Sequence, residues 1–213
     1  MNTSTYPDIG RPDARTVIVS TRYAGDSASL RRMADADTAE YDSAPLVQGL
    51  VGLSWFLSLD ATTLLTCAQW TSDTATDAFL RVNGFAAGFA GPPRYRIHRS
   101  LTQDVDVRVP GCLVTAAFDV DGPERQQHFA ESVIAAQSKE EAHPGAISAH
   151  FLLSTDGSRV LLYTEWSSPE AHEEAAEAGG HDAVHDIFSG TPGVRLTHGS
   201  RYRLHRSLSR PAG

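Results

Sequence analysis

Residues 153–171, LSTDGSRVLLYTEWSSPEA, decide the fold because a related stretch, LSLDATTLLTCAQWTSDTA, already occurs at residues 57–75. The two stretches begin 96 residues apart, at positions 153 and 57. Self-similarity at a fixed spacing is the signature of a duplicated structural unit. The same spacing aligns Trp70 with Trp166, Gly49 with Gly145 and Ala75 with Ala171.

A second repeated string closes each copy. PRYRIHRSL at residues 93–101 returns as SRYRLHRSL at residues 200–208, which is a spacing of 107 residues instead of 96. The second copy therefore holds 11 more residues after its Trp, in or around AGGHDAVHDIFSGTPGVRLTHG at residues 178–199. We predict two tandem units, at residues 14–104 and 105–210.

Each copy has the pattern strand, helix, strand, strand, helix, strand. RTVIVSTR and GCLVTAAFDV are rich in strand-forming residues, and each precedes a segment with helical spacing of its apolar residues. GLVGLSWFLSLD and GAISAHFLLSTDG then end in hairpin turns, and Ser168 with Pro169 marks a helix start. This order is the ferredoxin-like motif. One sheet face stays uncovered in such a unit, so two units can cover each other and form a pseudo-dimeric α+β barrel.

Composition excludes several classes of function. The net charge of -8 disfavours a nucleic-acid or anionic membrane partner, because phosphate binding needs a basic face. The sequence shows neither a secretion signal nor a run of about 20 apolar residues, so we expect a cytoplasmic protein. Cys67 and Cys112 both fall in strand-like runs, where a buried thiol is more common than a disulfide or a metal ligand.

The second half also resembles a known family. DVDGPERQQ at 119–127, PGAISAHFLLSTDGSRVLLYTEWSSPEAH at 144–172 and TPG at 191–193 are similar to the antibiotic biosynthesis monooxygenase superfamily, specifically its anthrone oxygenases from aromatic polyketide pathways. The first half is similar more weakly. Members are normally homodimers, so the resemblance implies that this chain is a fused pseudo-dimer. Tandem members also resemble the oxygenases that open the B ring of angucyclines with reduced flavin.

The resemblance implies a site around the two tryptophans. Trp166, and Trp70 in the first copy, would stack on a flat polycyclic substrate, although core packing is the other interpretation of either ring. The anthrone oxygenases carry an Asn four residues before this Trp, where this chain has Leu162 and Thr66. The same departure disfavours a haem-degrading activity. We expect the remaining substrate contacts from Trp55, His150, Phe151, Tyr163 and Phe188.

Histidine distribution favours the second half, which holds all histidines except His98. Histidine accepts and donates protons near neutral pH, as an oxygenase without a bound cofactor requires. We predict His185 as the general base, His172 as the second candidate and His181 as the third. An exposed helix position is the other interpretation of each. HDAVHD at 181–186 lacks a third ligand and the Glu of a zinc motif, so we predict no metal.

The resemblance implies a monooxygenase that oxidises a phenolic or anthrone-type polyketide intermediate with O2 to a quinone or hydroxylated product. The alternatives are a ring-cleaving oxygenase that uses reduced FAD or FMN from a reductase, a polyketide cyclase, and a non-catalytic binding protein. The chain has no dinucleotide fingerprint, so we expect no tightly bound cofactor. A flavin reductase is a candidate partner, and the protein is expected as a monomeric pseudo-dimer or a homodimer.

Overall fold

The computed structural model describes residues 6–43, 47–82, 91–103, 108–138, 142–179 and 182–210. In chain order the first half contains β1 (Thr16–Tyr23), α1 (Ser27–Ser43), β2 (Leu50–Ser58), β3 (Thr63–Trp70), α2 (Asp73–Val82) and β4 (Arg94–Thr102). The second half contains β5 (Cys112–Val120), α3 (Pro123–Gln137), β6 (Ala146–Ser154), β7 (Arg159–Trp166), α4 (Pro169–Glu177), α5 (Asp182–Gly190) and β8 (Val194–Ser209).

This element order confirms the predicted α+β class and its ferredoxin-like pattern. The strands are hydrogen-bonded in the order β1-β3-β2-β8-β5-β7-β6-β4, which closes as an antiparallel barrel. The extra residues of the second copy contain α5, a helix that packs against α3. Whether the two copies behave as a fused pseudo-dimer stays a prediction.

The compact units of the structure divide the chain differently from the sequence repeats 14–104 and 105–210. One unit comprises Met1–Arg96 and Tyr202–Gly213, and the other comprises Ile97–Arg201. Both β4 and β8 are therefore split between the units. The repeats describe how the sequence is related to itself, whereas the units describe which residues pack together.

In the first unit β3 lies between β1 and β2. Its pairs run from Thr16 opposite Trp70 to Tyr23 opposite Thr63, and the end of β8 pairs with β2, with Tyr202 opposite Ser58. Helices α1 and α2 cover one face of this sheet. The core on that face is formed by Ile18, Leu30, Ala34, Leu50, Leu53, Trp55, Leu64, Trp70 and Leu208.

In the second unit β7 lies between β5 and β6. Cys112 pairs with Trp166 on one side of β7, and Ser148 pairs with Glu165 on the other. Successive side chains of a strand point to opposite faces, so alternate residues of β6 and β7 face α3. The core beneath α3 is formed by Phe118, Val120, Phe129, Ala130, Val133, Ile134, Phe151, Val160, Leu162 and Val194.

The two predicted hairpins use the same turn chemistry. Ser58 Oγ donates to Asp60 Oδ1 at 2.5 Å, and Ser154 Oγ donates to Asp156 Oδ1 at 2.6 Å. Each Asp also accepts the backbone N–H two residues later, at Thr62 or Ser158. Asp and Ser side chains that bond to nearby backbone groups fix a turn without help from the core. The two copies therefore share the individual hydrogen bonds of their hairpin turns.

A close approach at an aligned glycine also recurs. A Cβ added to Gly49 would lie 2.4 Å from Ala75 Cβ, and one added to Gly145 would lie 2.4 Å from Ala171 Cβ. Only glycine permits the backbone to approach the following helix so closely. The same contact therefore occurs in both halves, between Gly49 and Ala75 and between Gly145 and Ala171.

Two remaining expectations are that both cysteines are buried thiols and that no segment spans a membrane. Cys67 and Cys112 are both buried thiols, as predicted. Burial raises the pKa of Cys67 to about 12. In the described part of the chain, no helix has the length and apolar character needed to cross a bilayer.

Candidate active site

The predicted site residues of the second half lie on both faces of its sheet. Phe151 and Leu162 belong to the core beneath α3, so the neighbouring His150 and Tyr163 point to the opposite face. Trp166 lies on the helix-covered side, with Ala171 and Ala175 of α4. The structure therefore brings the predicted residues together in separate groups. His181 lies outside the described residues.

The first group is a corner at the end of β7, which we call the Trp166 corner (His143, Thr164, Trp166 and His172). The indole Nε1 donates to Thr164 Oγ1 at 3.0 Å, and Thr164 Oγ1 donates to the Val114 carbonyl at 3.3 Å. The indole N–H is therefore engaged with Thr164. This bond fixes the plane of the ring.

Two imidazoles contact this indole. The ring of His172 lies 5.0 Å from that of Trp166 at 89°, and the ring of His143 lies 5.9 Å away at 45°. His172 stands in the first turn of α4, which begins at the predicted Ser168 cap, where Ser168 Oγ accepts the Ala171 N–H. Trp166 is 8% exposed, and His172 is half-buried. The corner thus combines a flat apolar surface with two groups that can exchange protons.

The sequence did not predict His143. Its Nδ1 accepts the N–H of Gly145, where an added Cβ would lie 2.4 Å from Ala171 Cβ of α4. The aligned Gly49–Gly145 pair was the available signal, because a glycine required by a close approach places its neighbours next to the opposing helix. His143 therefore joins the candidates through the packing of a backbone segment.

His185, the first candidate for the general base, is exposed on α5. Its ring contacts Phe188 at 4.9 Å, and Phe188 in turn lies 5.6 Å from Phe118 at the edge of the core beneath α3. Phe151 is fully buried in that same core. Packing accounts for the placement of Phe151 and Phe188, and their contact with a substrate stays a prediction.

The first half has a different environment around its tryptophans. Trp70 is 1% exposed and packs against Phe79 at 5.0 Å, while Trp55 is fully buried and packs against Tyr41 at 5.6 Å. Histidine rings take no part in these contacts. Substrate binding by Trp70 and Trp55 stays a prediction, although core packing explains both positions.

The second group surrounds His150 on the opposite face of the sheet. His150 Nδ1 lies 2.8 Å from Ser100 Oγ, and its Nε2 lies 3.0 Å from Ser148 Oγ. Ser148 Oγ donates to Glu165 Oε2 at 2.6 Å. Tyr163 packs edge-on against the imidazole at 6.0 Å. Burial lowers the pKa of His150 to about 4, because a charged imidazole would lose its hydration.

Metal binding has no candidate in the described ranges, where no three His, Cys, Asp or Glu side chains lie close enough to hold an ion.

Comparisons with known proteins concern the fold and the family of the second half. Residues 111–187 match the family model for the antibiotic biosynthesis monooxygenase domain. The chain resembles the crystal structure of an anthrone oxidase-like protein with a TM-score of 0.73 at 13% sequence identity, over 94% of this chain and 95% of that one. No significant match was found among curated proteins.

Two further solved structures share the fold. A monooxygenase-like protein from Listeria innocua gives a TM-score of 0.53 at 15% identity, over 90% of this chain and 94% of that one. A ferredoxin-fold protein related to antibiotic biosynthesis monooxygenases, from Listeria monocytogenes, gives a TM-score of 0.52 at 13% identity. This match covers 90% of this chain and 95% of that one. These likenesses concern the fold. They show that the chain has a ferredoxin-like α+β fold, and its similarity to the antibiotic biosynthesis monooxygenase family model covers residues 111–187.

Proposed function

We propose that this protein is a monooxygenase that oxidises an electron-rich polycyclic phenol or anthrone with O2, and that the Trp166 corner is its active site. The observation that carries this proposal is the edge-on contact of the His172 ring with the Trp166 indole at 5.0 Å. An aromatic substrate stacked on this indole would lie next to an imidazole. Such a pair supplies both placement and proton transfer, which are what the reaction requires of the protein.

The chemistry balances without another reductant. His172 takes a proton from the activated carbon of an anthrone, and the resulting carbanion gives one electron to O2. The substrate radical and superoxide then combine to a peroxide, and a second proton leaves the same carbon as the O–O bond breaks. The products are a carbonyl and one water molecule. The four electrons that reduce O2 come from the substrate.

His172 replaces His185 as the proposed base for a geometric reason. A general base must be held within hydrogen-bond reach of the proton that it removes. His172 is half-buried against Trp166, whereas His185 is exposed on α5. His143, whose ring also contacts the indole, is the candidate for returning a proton to the leaving hydroxide.

The test is oxygen uptake by the purified chain with an anthrone-type substrate, with product identification by mass spectrometry. We expect His172→Ala to lower the rate about 10²- to 10⁴-fold, the usual contribution of a positioned base. Exposed histidines away from the corner provide matched controls, so His185→Ala and His128→Ala should stay close to the wild-type rate. Equal losses in all three variants would refute the role of His172.

The same assay separates the alternatives. A strict need for a flavin reductase with FAD or FMN would identify a reduced-flavin ring-cleaving oxygenase. Product formation without oxygen uptake would identify a cyclase. Saturable binding without turnover would identify a binding protein. Trp166→Phe should reduce turnover more than Trp70→Phe, because two histidine rings contact Trp166, whereas Trp70 packs against Phe79.

A further inference from the structure

One group of nucleophilic and titratable side chains lies outside the Trp166 corner. It consists of Ser100 on β4, Ser148 and His150 on β6, and Glu165 on β7, and we call it the Ser100 relay. His150, Ser148 and Glu165 are 5%, 9% and 8% exposed, while Ser100 is exposed. Three hydrogen bonds of 2.8, 3.0 and 2.6 Å connect these side chains in series. An exposed hydroxyl is thereby linked to a buried carboxyl group.

One assignment of donors and acceptors satisfies all three hydrogen bonds of the relay. Ser148 uses its proton to donate to Glu165, so its oxygen accepts the proton on His150 Nε2. A neutral imidazole carries one proton, so the lone pair then lies on Nδ1. Ser100 Oγ–H donates to that lone pair at 2.8 Å. The relay therefore sets the histidine tautomer that can accept the proton of Ser100.

We propose that Ser100 is an activated serine that accepts acyl groups from activated aryl esters. His150 is its general base, and Ser148 and Glu165 are positioning residues. A nucleophile hydrogen-bonded to a base, with that base oriented by a further group, is the arrangement that activates hydroxyls.

The covalent step is balanced within these groups. Ser100 Oγ forms a bond to the acyl carbon, and the carbon–oxygen bond to the aryl leaving group breaks. The serine proton moves to His150 Nδ1 and from there to the departing phenolate. Water repeats the same path to release the acid and regenerate Ser100.

The unit that contains β2 shows that the fold does not need this chemistry at the aligned positions. The repeat spacings align Ser54 with His150 and Ser207 with Ser100. Ser54 Oγ and Ser207 Oγ lie 3.0 Å apart and are both buried. Gln69 and Gly52 occupy the places of Glu165 and Ser148. A pair of hydroxyls connects the strands there, so the buried base and acid of the second half add something beyond packing.

The groups around His150 keep its imidazole ready to accept a proton. Its titratable neighbours are Glu165 and Tyr163 of β7. On β4, His98 and Arg99 are both directed to Glu131 of α3. Burial keeps the pKa of His150 near 4, so the ring is neutral throughout the neutral range. Acylation should therefore lose activity only near pH 4, well below the value for an ordinary histidine.

The experiment uses the full chain and p-nitrophenyl acetate. Lys139 is the only lysine, so Lys139→Arg as the background removes most non-specific acetylation. Ser100 and Ser207 each follow an arginine, and trypsin therefore gives a separate peptide for each serine. Release of p-nitrophenol and an added acetyl group on the peptide that begins at Ser100 are expected. Acetyl groups found only elsewhere would overturn the proposal.

Variants then test each role. Ser100→Ala, at an exposed position, should abolish the acetylated peptide, whereas Ser207→Ala should leave it unchanged. His150→Gln should slow acylation about 10²- to 10⁴-fold. Glu165→Gln should move the acid limb of the pH profile to lower pH, because the imidazolium loses the support of a carboxylate. Wild-type acylation in Ser100→Ala or His150→Gln would overturn the assignment. Acylation is measured without an anthrone and oxygen uptake without the ester, so loss of one activity in the wild-type chain does not count against the other proposal.

Discussion

Substituting Gly145 tests whether the close contact between the β6 approach and α4 holds the Trp166 corner together. In Gly145→Ala the new Cβ would lie 2.4 Å from Ala171 Cβ and 3.3 Å from both His143 Nδ1 and Ser167 Oγ. Carbon atoms pack at about 3.5–4.0 Å, so α4 or the loop must shift by roughly 1 Å. His172 would shift with α4 relative to Trp166, because it stands in the first turn of that helix.

The expected cost follows from overpacking. Extra carbon in a well-packed site destabilises a protein by about 1–3 kcal/mol. For a chain of about 150–250 residues each kcal/mol lowers the Tm by about 2–4 °C, so we expect a fall of roughly 2–12 °C. Misplacement of a catalytic group by about 1 Å can cost about 10²-fold in turnover. Thermal unfolding and oxygen uptake measure the two effects.

Two further variants make this prediction specific. Gly190→Ala is the matched control, because a Cβ there meets nothing within 4 Å. Ala171→Gly removes the atom that the new methyl group meets, at a cost of about 1 kcal/mol for glycine within a helix. The double variant Gly145→Ala/Ala171→Gly should be more stable than the sum of the single effects predicts. A Tm of Gly145→Ala equal to that of the control, or additive effects in the cycle, would refute the contact.

Three other predictions follow from buried groups. Because the pKa of His150 is about 4 in the folded state, below the ordinary value of 6.5, stability should fall by about 3 kcal/mol as the pH drops from 6.5 to 4, and His150→Gln should remove this slope in pH-dependent unfolding. With its pKa near 12, Cys67 should resist thiol reagents at pH 8 until the protein unfolds, which an absorbance assay would show. Residues 105–213 expressed alone should lack a cooperative melt, because Tyr202 and Leu208 are buried in the unit that contains β2.

Local chemistry explains which parts of the fold the sequence could predict. The helix cap at Ser168 and the hairpin turns at Asp60 and Asp156 depend on hydrogen bonds between residues that are close in sequence. The sequence pattern therefore predicts them without knowledge of the core. The exposure of His185 could also have been predicted. Val184, Ile187 and Phe188 are partly buried and form the side of α5 that packs against the core, whereas His185 is exposed. The prediction of His185 rests on the distribution of histidines along the chain, which does not indicate the side of a helix on which each one lies.

The Ser100 relay could be predicted only in part. Alternation along a strand places Ser148 with His150, and the hairpin register places Glu165 opposite Ser148. Ser100 is 50 residues from His150 along the chain, on a strand that is not its neighbour in sequence. Long-range pairing of that kind depends on the order of strands in the sheet, which the sequence pattern does not specify. His150 therefore appeared from the sequence as a substrate contact instead of a base.

The aligned positions of the first half could not acquire this relay by a single change. A side chain at Gly52 would place its Cβ 2.4 Å from Gln69 Oε1, so serine cannot enter while Gln69 remains as it is. Gln69 Nε2 also donates to the carbonyls of Asp8 and Ile9 at 2.9 and 3.2 Å. Glutamate has only acceptors when ionised and would repel both carbonyls. Gln69 thus binds the segment that contains Asp8 and Ile9. A carboxylate at position 69, equivalent to Glu165 of the second half, could not make these hydrogen bonds. The aligned positions therefore have different roles in the two halves: Gln69 binds a backbone segment, whereas Glu165 belongs to the Ser100 relay. Each of these buried polar side chains restricts which residues its neighbours can be.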